Sequence, residues 1–390
     1  MNAIRVAFVT ASLSRHGAGV AAAVESLSAA VAARGLDVRV FGSNDPLWEE
    51  SGPGTWKGAE ALVLPSFGPA SFGYVPRLVT ELRKWNPDIV HTHGLWMHHS
   101  RSVLQWARQT AKPVVVSPHG MLAPRALAFS PGKKRLSRWL YQDSALRQAR
   151  VLHATSAAEA EEIVGFGLKQ PIAVIPNGID PSEDEPAQLS GDADRPRVIS
   201  IGRVHPIKAL DQLVKAWAMI EPDFSGWDLK IVGPSELGYA DQLQDLAKSL
   251  NLRNVEISGA VFGGQKIDLL RRAELFALPS LTENFALTVA ESLSCGTPVI
   301  STKGAPWAGL VAHGCGWWID HGVDAMATTL RSAMSLSADE RRAMGARGRE
   351  WMARDFGWDK IGRQTASVYR WLVEENTDRP ECFYKRDQGK

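Results

Sequence analysis

The chain has 390 residues, 45% of them hydrophobic and 22% charged, with a formal net charge of +2. That length exceeds one ordinary core and predicts two domains, while the near-balanced charge excludes a global field for nucleic acid. No stretch reaches the roughly 18 to 20 apolar residues of a membrane span.

In chain order, Ile4–Thr10 reads as a buried first strand, its apolar stretch being too short for a signal-peptide core. Gly17-Ala18-Gly19 reads as a loop, and Val20 to Arg34 as an alanine-rich helix stopped at Gly35. Val38–Phe41 is the next strand and Pro76–Lys84 the next helix. Asp88–His91 is a strand running into His93-Gly94, and Val114–Val116 a strand whose end leads to His119-Gly120. Val151–Ala154 and Ile172–Ile175 complete a first βα series.

From Asp180 to Pro196 the chain is rich in Asp, Glu, Pro, Ser and Gly and reads as a linker, with Asp192 and Asp194 taken as solvated linker residues. A second series follows: strands at Val198–Ile201, Leu229–Val232, Val255–Ile257, Leu275–Ala277 and Pro298–Ser301. Helices at Leu210–Met219, Tyr239–Leu250, Lys266–Arg272 and Leu287–Leu293 lie between them. The expected fold is therefore α/β, two Rossmann-like doubly wound parallel sheets with a cleft between the domains. Residues 1–180 form the first domain, 181–196 the linker and 197–357 the second domain. A helix over 358–376 is expected to pack at the domain junction, and 377–390 to be a polar, mobile tail.

Cys295, Cys315 and Cys382 are odd in number and far apart, with no Cys-x-x-Cys. That argues against a disulfide framework or a zinc site and predicts a reducing, cytoplasmic setting.

Two constellations in the second half carry chemistry. Glu283-Asn284-Phe285-Ala286-Leu287 opens a helix that contains Glu291. The amides of Asn284, Phe285, Ala286 and Leu287 would be free donors for an anion, and Glu291 could reach a ribose diol. Alternatively Glu283 is a capping acid and Glu291 a surface residue. Gly202-Arg203 and Lys208 follow a strand and precede a helix. Either they aim two cations at a diphosphate, or they are exposed bases in a βα loop.

In the first half, His91 reads as a structural histidine, while His93 and His119 are candidates to line the cleft, His119 as a hydrogen-bond partner for a sugar hydroxyl. Gly17 and Gly19 would let a ligand approach the backbone. Between Arg125 and Arg150, seven basic residues, including Lys133 and Lys134, stand against Asp143 alone, interleaved with Leu136, Trp139, Leu140 and Leu146. This is either a solvated basic helix or an element that meets an anionic membrane or a phosphorylated acceptor.

These residues, taken together, carry a resemblance. The early Gly17/Gly19 loop, Pro87 to Gly94, Ser117-Pro118-His119-Gly120, Ile175-Pro176-Asn177-Gly178-Ile179-Asp180, Gly202-Arg203…Lys208 and Glu283 to Ile300 resemble, in order, the motifs of retaining glycosyltransferase family 4. The resemblance implies the GT-B fold and a nucleoside-diphosphate sugar as donor. It also implies a glycan or lipid-linked acceptor, no metal, no cofactor and no nucleic-acid partner. It places Arg203 and Lys208 on the diphosphate, Glu291 on the ribose and Glu283 by the donor sugar, with the amides of Asn284 to Ala286 around phosphate and sugar. His119 is set against the sugar from the first domain and Gly17–Gly19 near the phosphates; His93, Arg125, Lys133 and Lys134 stand on the acceptor side.

Two departures stand out. Where such enzymes often carry glycine after the lysine and at the fourth position of the carboxylate motif, this chain has Ala209 and Ala286. Gly304-Ala305-Pro306-Trp307…Gly314-Cys315-Gly316-Trp317-Trp318 resembles a polysaccharide-biosynthesis subset. The implied reaction is glycosyl transfer with retention, with the departing phosphate oxygen assisting deprotonation of the acceptor. The rival readings are a sugar-nucleotide epimerase on the same fold and a non-catalytic nucleotide-sugar-binding protein. The expected location is cytoplasmic, with a peripheral position at the membrane left open.

Overall fold

The computed structural model describes residues 3–14, 17–45, 56, 58–180, 195–374 and 377–386. The chain divides into two compact units, one of residues 1–178 with 358–390 and one of residues 179–357. Positions 181–194 of the expected linker, with Asp192 and Asp194, lie outside the described residues.

The first unit holds seven parallel strands: β1 Arg5–Ser12, β2 Asp37–Ser43, β3 Glu60–Leu64, β4 Ile89–His93, β5 Val114–Ser117, β6 Val151–Ala154 and β7 Ile172–Val174. They are ordered β3-β2-β1-β4-β5-β6-β7. Alternate residues of β1 feed opposite cores, as a strand's period of two requires. Val6 and Phe8 pack beneath helices Ala18–Ala32 and Trp358–Val373. Ala7 and Val9 pack beneath helices Leu78–Trp85 and His98–Thr110. The two helices on the first face touch closely at Gly362, where a Cβ would fall 2.7 Å from the Ala30 carbonyl oxygen.

The second unit holds six parallel strands: β8 Arg197–Ile201, β9 Asp228–Val232, β10 Val255–Ser258, β11 Leu275–Leu278, β12 Val299–Thr302 and β13 Gly316–Ile319, ordered β10-β9-β8-β11-β12-β13. Here too the sheet is covered on both faces. Helices Leu210–Ala218, Tyr239–Ser249 and Val323–Met334 lie over Val198, Leu229, Leu275 and Ile300; helices Leu287–Ser294 and Ala338–Phe356 lie over Ile199, Phe276 and Val299.

Both strand orders reverse once, between β1 and β4 and between β8 and β11. In an open parallel sheet the crevice beyond the carboxyl ends at such a reversal is where ligands bind, because the crossovers diverge there.

The structure differs from the sequence-based expectation in several places, and it adds the edge strands β3 and β13, which the sequence reading did not give. Gly17-Ala18-Gly19 is not a free loop: Gly17 caps a helix that begins at Ala18. The segment after residue 377 is pinned rather than loose over part of its length. Phe383 is buried, Val174 N–H donates to the Cys382 carbonyl at 2.8 Å, and Tyr384 N–H donates to the Ile172 carbonyl at 2.7 Å. It thereby pairs along the open edge of β7, which would otherwise present unpaired backbone groups. Several helices also had no clear sequence signal, among them His98–Thr110 and Ala338–Phe356.

Candidate functional site

The reversal in the second sheet brings the two constellations of that unit together. β8 ends at Ile201 and hands over to Gly202; β11 ends at Leu278 and hands over to Ser280–Glu283. The Leu281 N–H donates to the Ile207 carbonyl at 2.9 Å, tying the two loops by backbone. Lys208 Nζ lies 2.5 Å from Glu283 Oε1, which also accepts from Ser280 Oγ at 2.6 Å. Both ends of the ion pair are largely withdrawn from solvent. Arg203 sits at the rim, where the loop after β9 reaches it. The Val204 N–H donates to the Pro234 carbonyl, the Glu236 N–H donates to the Val204 carbonyl, and Arg203 Nη1 then donates to Glu236 Oε1 at 3.2 Å.

Glu291, in the second turn of helix Leu287–Ser294, is not a surface residue: it is buried. One oxygen pairs with Lys266 Nζ, while Oε2 is buried with no hydrogen-bond partner among the described residues. Burial pushes its carboxyl pKa up, and the Lys266 ammonium opposes that shift. A buried acceptor without a donor is costly unless something supplies one. No side chain among the described residues caps this helix.

Trp307 fixes the loop from behind. Its ring packs on Phe285 at 5.2 Å between centroids and its Nε1–H donates to the Phe285 carbonyl at 2.5 Å. Trp318 Nε1–H donates to the Ala305 carbonyl at 2.8 Å, and the Glu283 N–H to the Gly304 carbonyl at 2.7 Å. The tryptophan-rich motif is thus the buttress of the carboxylate loop. Ala209 and Ala286 both adopt left-handed backbone, with φ of 49° and 61°. These are the two positions where the family pattern carries glycine, and the backbone has kept the glycine conformation with an alanine in it.

In the first unit, β4 and β6 hold a buried histidine cluster, linked through Ser117 of β5. His91 and His93 share a face of β4, two residues apart, with ring centroids 4.1 Å apart. His153 Nε2 lies 2.8 Å from the Ile175 carbonyl, which can only accept. His153 Nδ1 is therefore the acceptor for the Ser117 hydroxyl at 2.8 Å, and Ser117 Oγ accepts from His91 Nε2 at 2.7 Å. His91 Nδ1 then accepts from the Tyr369 hydroxyl at 2.6 Å. His91 is structural, as its place inside the strand suggests.

His93 is buried, and so does not line an open surface; its Nδ1 lies 2.9 Å from His119 Nε2. Its own Nε2 has no partner among the described residues. The two rings share one hydrogen bond, so either His93 Nδ1 or His119 Nε2 carries the proton and the other accepts it. His119 stands at φ 53° between β5 and Gly120 and is partly buried. Burial, with His153 nearby, lowers its pKa to about 3, so its imidazole stays neutral.

The turn that carries His119 is held by a residue the sequence reading missed. Glu159 is buried; Oε1 accepts from the Gly120 N–H at 2.7 Å and Oε2 from the Thr155 N–H and hydroxyl at 2.7 and 2.8 Å. Its signal was Ser156-x-x-Glu159, a helix-start pattern in which Ser156 accepts from the Glu159 N–H. Lys266 and Glu236, the partners of Glu291 and Arg203, carried no local signal, because each lies far from its partner in sequence, Lys266 in helix Gly264–Arg271 and Glu236 in the loop after β9. Gly17 is demanded by packing: a Cβ there would fall 2.7 Å from the Ala21 Cβ, whereas one on Gly19 would meet nothing. Of the expected acceptor-side bases, Lys133 and Arg125 are exposed, and Lys134 turns inward to the Ala126 carbonyl and over the Trp96 ring.

Among the described residues, no group of three His, Cys, Asp or Glu side chains is placed to hold a metal ion, and no helix is long and apolar enough to cross a membrane.

Residues 181–351 match the family described as glycosyl transferases group 1, and residues 17–183 match glycosyltransferase family 4. The chain is 31% identical to a D-inositol 3-phosphate glycosyltransferase of Kineococcus radiotolerans over 318 residues, 74% of this chain and 72% of that one. It is 30% identical to a glycogen synthase of Mycobacterium tuberculosis over 304 residues, 74% of this chain and 69% of that one. Among solved structures it is similar to the sucrose-phosphate synthase of Thermosynechococcus elongatus, with a TM-score of 0.73, 23% identity and coverage of 95% and 99% of the two chains. It is also similar to the Anabaena HepE protein in complex with UDP and glucose, with a TM-score of 0.74, 20% identity and coverage of 94% and 100%.

Proposed function

The chain belongs to glycosyltransferase family 4 and is a nucleotide-sugar-dependent enzyme, and from that premise we propose that it moves a hexosyl group, with retention of configuration, to a hydroxyl of a glycan or lipid-linked acceptor. The setting we propose is the building of a surface or extracellular polysaccharide.

The observation that carries the reading is the joined pair of loops at the β8/β11 reversal, with Lys208 against Glu283 and the buried, half-partnered carboxylate of Glu291 nearby in the same segment. Lys208 and Arg203 bind the donor diphosphate, and their charge is matched best when the bond from the sugar C1 to the phosphate oxygen breaks and negative charge gathers on the leaving group. Glu291 Oε2 accepts from a ribose hydroxyl, which gives its orphaned lone pairs the donor they lack. Glu283 orients the Lys208 ammonium and, with the amides of Asn284 to Leu287, borders the transferred sugar. His119, whose pKa is lowered to about 3, hydrogen-bonds a sugar hydroxyl through its imidazole. As the new bond forms between the acceptor oxygen and C1, the acceptor proton passes to the departing phosphate oxygen. No protein nucleophile is then required.

The HepE complex was solved with UDP, so a uridine diphosphate hexose is the donor to test first. The purified chain is incubated with UDP-glucose, UDP-galactose and the matching GDP and dTDP sugars, with and without lipid and oligosaccharide acceptors. Release of the nucleoside diphosphate with a new glycoside of the donor's anomeric configuration is expected, and Lys208→Ala and Glu283→Gln should each lower turnover at least about a hundredfold. An altered sugar still joined to its nucleotide would establish the epimerase reading instead. Full turnover in both variants would remove the assigned roles.

A further inference from the structure

The basic stretch of the first unit has a feature that glycosyl transfer does not use. Helix Pro131–Ser137, the wide turn Arg138–Gln142 and helix Asp143–Gln148 run on as one rod. One side of it is sealed into the fold: Tyr141, Gln142 and Leu146 are buried, and Tyr141 donates its hydroxyl to the Trp96 carbonyl. The opposite side is apolar and uncovered. Trp139 is 80% exposed, Leu136 56% and Leu140 58%, and Phe129, just ahead of the rod, is 77% exposed. Leu136, Trp139 and Leu140 stand three and four residues apart, so they share that outer side. Among the described residues, other large exposed apolar side chains such as Leu237, Val311 and Phe262 stand singly along the sequence.

Charge identifies the occupant. Residues 125–150 carry seven Lys and Arg against one Asp, in a chain whose net charge is only +2, so the rest of the chain taken alone is net acidic. Lys133, Arg135, Arg147 and Arg150 are exposed around the apolar strip, and the one acid, Asp143, is already engaged by Arg138 at 2.9 Å. A second copy of this chain would set two strongly positive faces against each other, which like-charge repulsion opposes. An aromatic and leucine strip flanked by exposed bases fits a surface that is apolar beneath and anionic on top.

We infer that the Phe129–Leu140 face is a docking surface for an anionic lipid bilayer, with Trp139, Leu140, Leu136 and Phe129 entering the interfacial layer and Lys133 and Arg135 meeting lipid phosphates. The chain lies on the membrane and does not cross it.

Vesicle co-sedimentation with the full chain tests this. Binding is expected to vesicles of mixed phosphatidylglycerol and phosphatidylcholine, and not to phosphatidylcholine alone. Trp139→Ser/Leu140→Ser should weaken binding about tenfold or more with thermal unfolding unchanged, since both side chains leave only solvent behind. Lys133→Gln/Arg135→Gln should weaken it roughly fivefold per charge removed, from about 1 kcal/mol per basic residue at an anionic surface. Absence of binding to the anionic vesicles, or equal binding to both kinds, would overturn the inference. So would apolar variants that bind as the wild type does. If instead those variants turn a dimer into a monomer and leave vesicle binding intact, the strip is a protein interface and the inference fails.

Discussion

Tyr369 donates its hydroxyl to His91 Nδ1 across 2.6 Å, joining the last long helix to the centre of the first sheet over 278 residues of sequence. Both groups are buried, and the bond is the first link of a directed chain that ends on the Ile175 carbonyl. Removing the hydroxyl leaves a buried imidazole acceptor with no donor. Tyr369→Phe should therefore lower stability by about 1–3 kcal/mol. Urea unfolding checks this, and an unchanged midpoint would show that the hydroxyl is not a structural tie.

The same cluster sets a pH dependence. Burial holds the pKa of His91, His93 and His153 below the ordinary histidine value; that of His99 falls to about 4 and that of His119 to about 3. Below about pH 6.5 the unfolded chain takes up protons that the folded chain refuses, so stability falls as the solution is acidified. Each such histidine adds up to about 1.4 kcal/mol per pH unit. Between about pH 6.5 and 5 the loss should be steeper than one group can produce. Equilibrium unfolding at several pH values measures it; a flat profile would mean that the cluster is hydrated.

Ala209 and Ala286 hold left-handed backbone that glycine adopts without a Cβ penalty. Ala209→Gly and Ala286→Gly should each raise stability by about 1 kcal/mol, the relief exceeding the added freedom of the unfolded chain. Thermal unfolding of the two variants, singly and together, gives the answer.

Lys266 is the counter-charge of Glu291, and its ammonium keeps the buried carboxyl from rising further in pKa. Lys266→Met should raise that pKa, so that nucleoside-diphosphate binding is lost at a higher pH than in the wild type and weakens about tenfold near pH 7. Calorimetric titration across pH separates this from simple loss of a contact, which would lower affinity equally at every pH.

If Arg203 and Lys208 bring positive charge to the leaving group as proposed, turnover should survive treatment with EDTA within about twofold. Activity that disappears on chelation and returns with magnesium or manganese would assign that charge to a cation.

The αβ alternation, most strands of the two series, the ordered motifs and the basic stretch were legible in the chain, because burial periodicity and turn residues are local properties; the edge strands β3 and β13 were not. Helix Ala338–Phe356 was not, since it contains Gly345 and Gly348, residues that helix propensity disfavours. It needs them for a contact no local pattern reveals: a Cβ at Gly345 would fall 1.8 Å from the Gly296 carbonyl oxygen. Helix His98–Thr110 was obscured because His98, His99, Ser100 and Ser102 are polar yet buried. For the charged residues, the sequence determined which groups were present and in what order. Strand order decided their partners: Lys208 with Glu283, Glu291 with Lys266, and His119 behind the turn that Glu159 holds. A charge's pKa and reach depend on what stands within a few ångströms of it, and in a doubly wound sheet those neighbours come from loops that strand order alone makes adjacent.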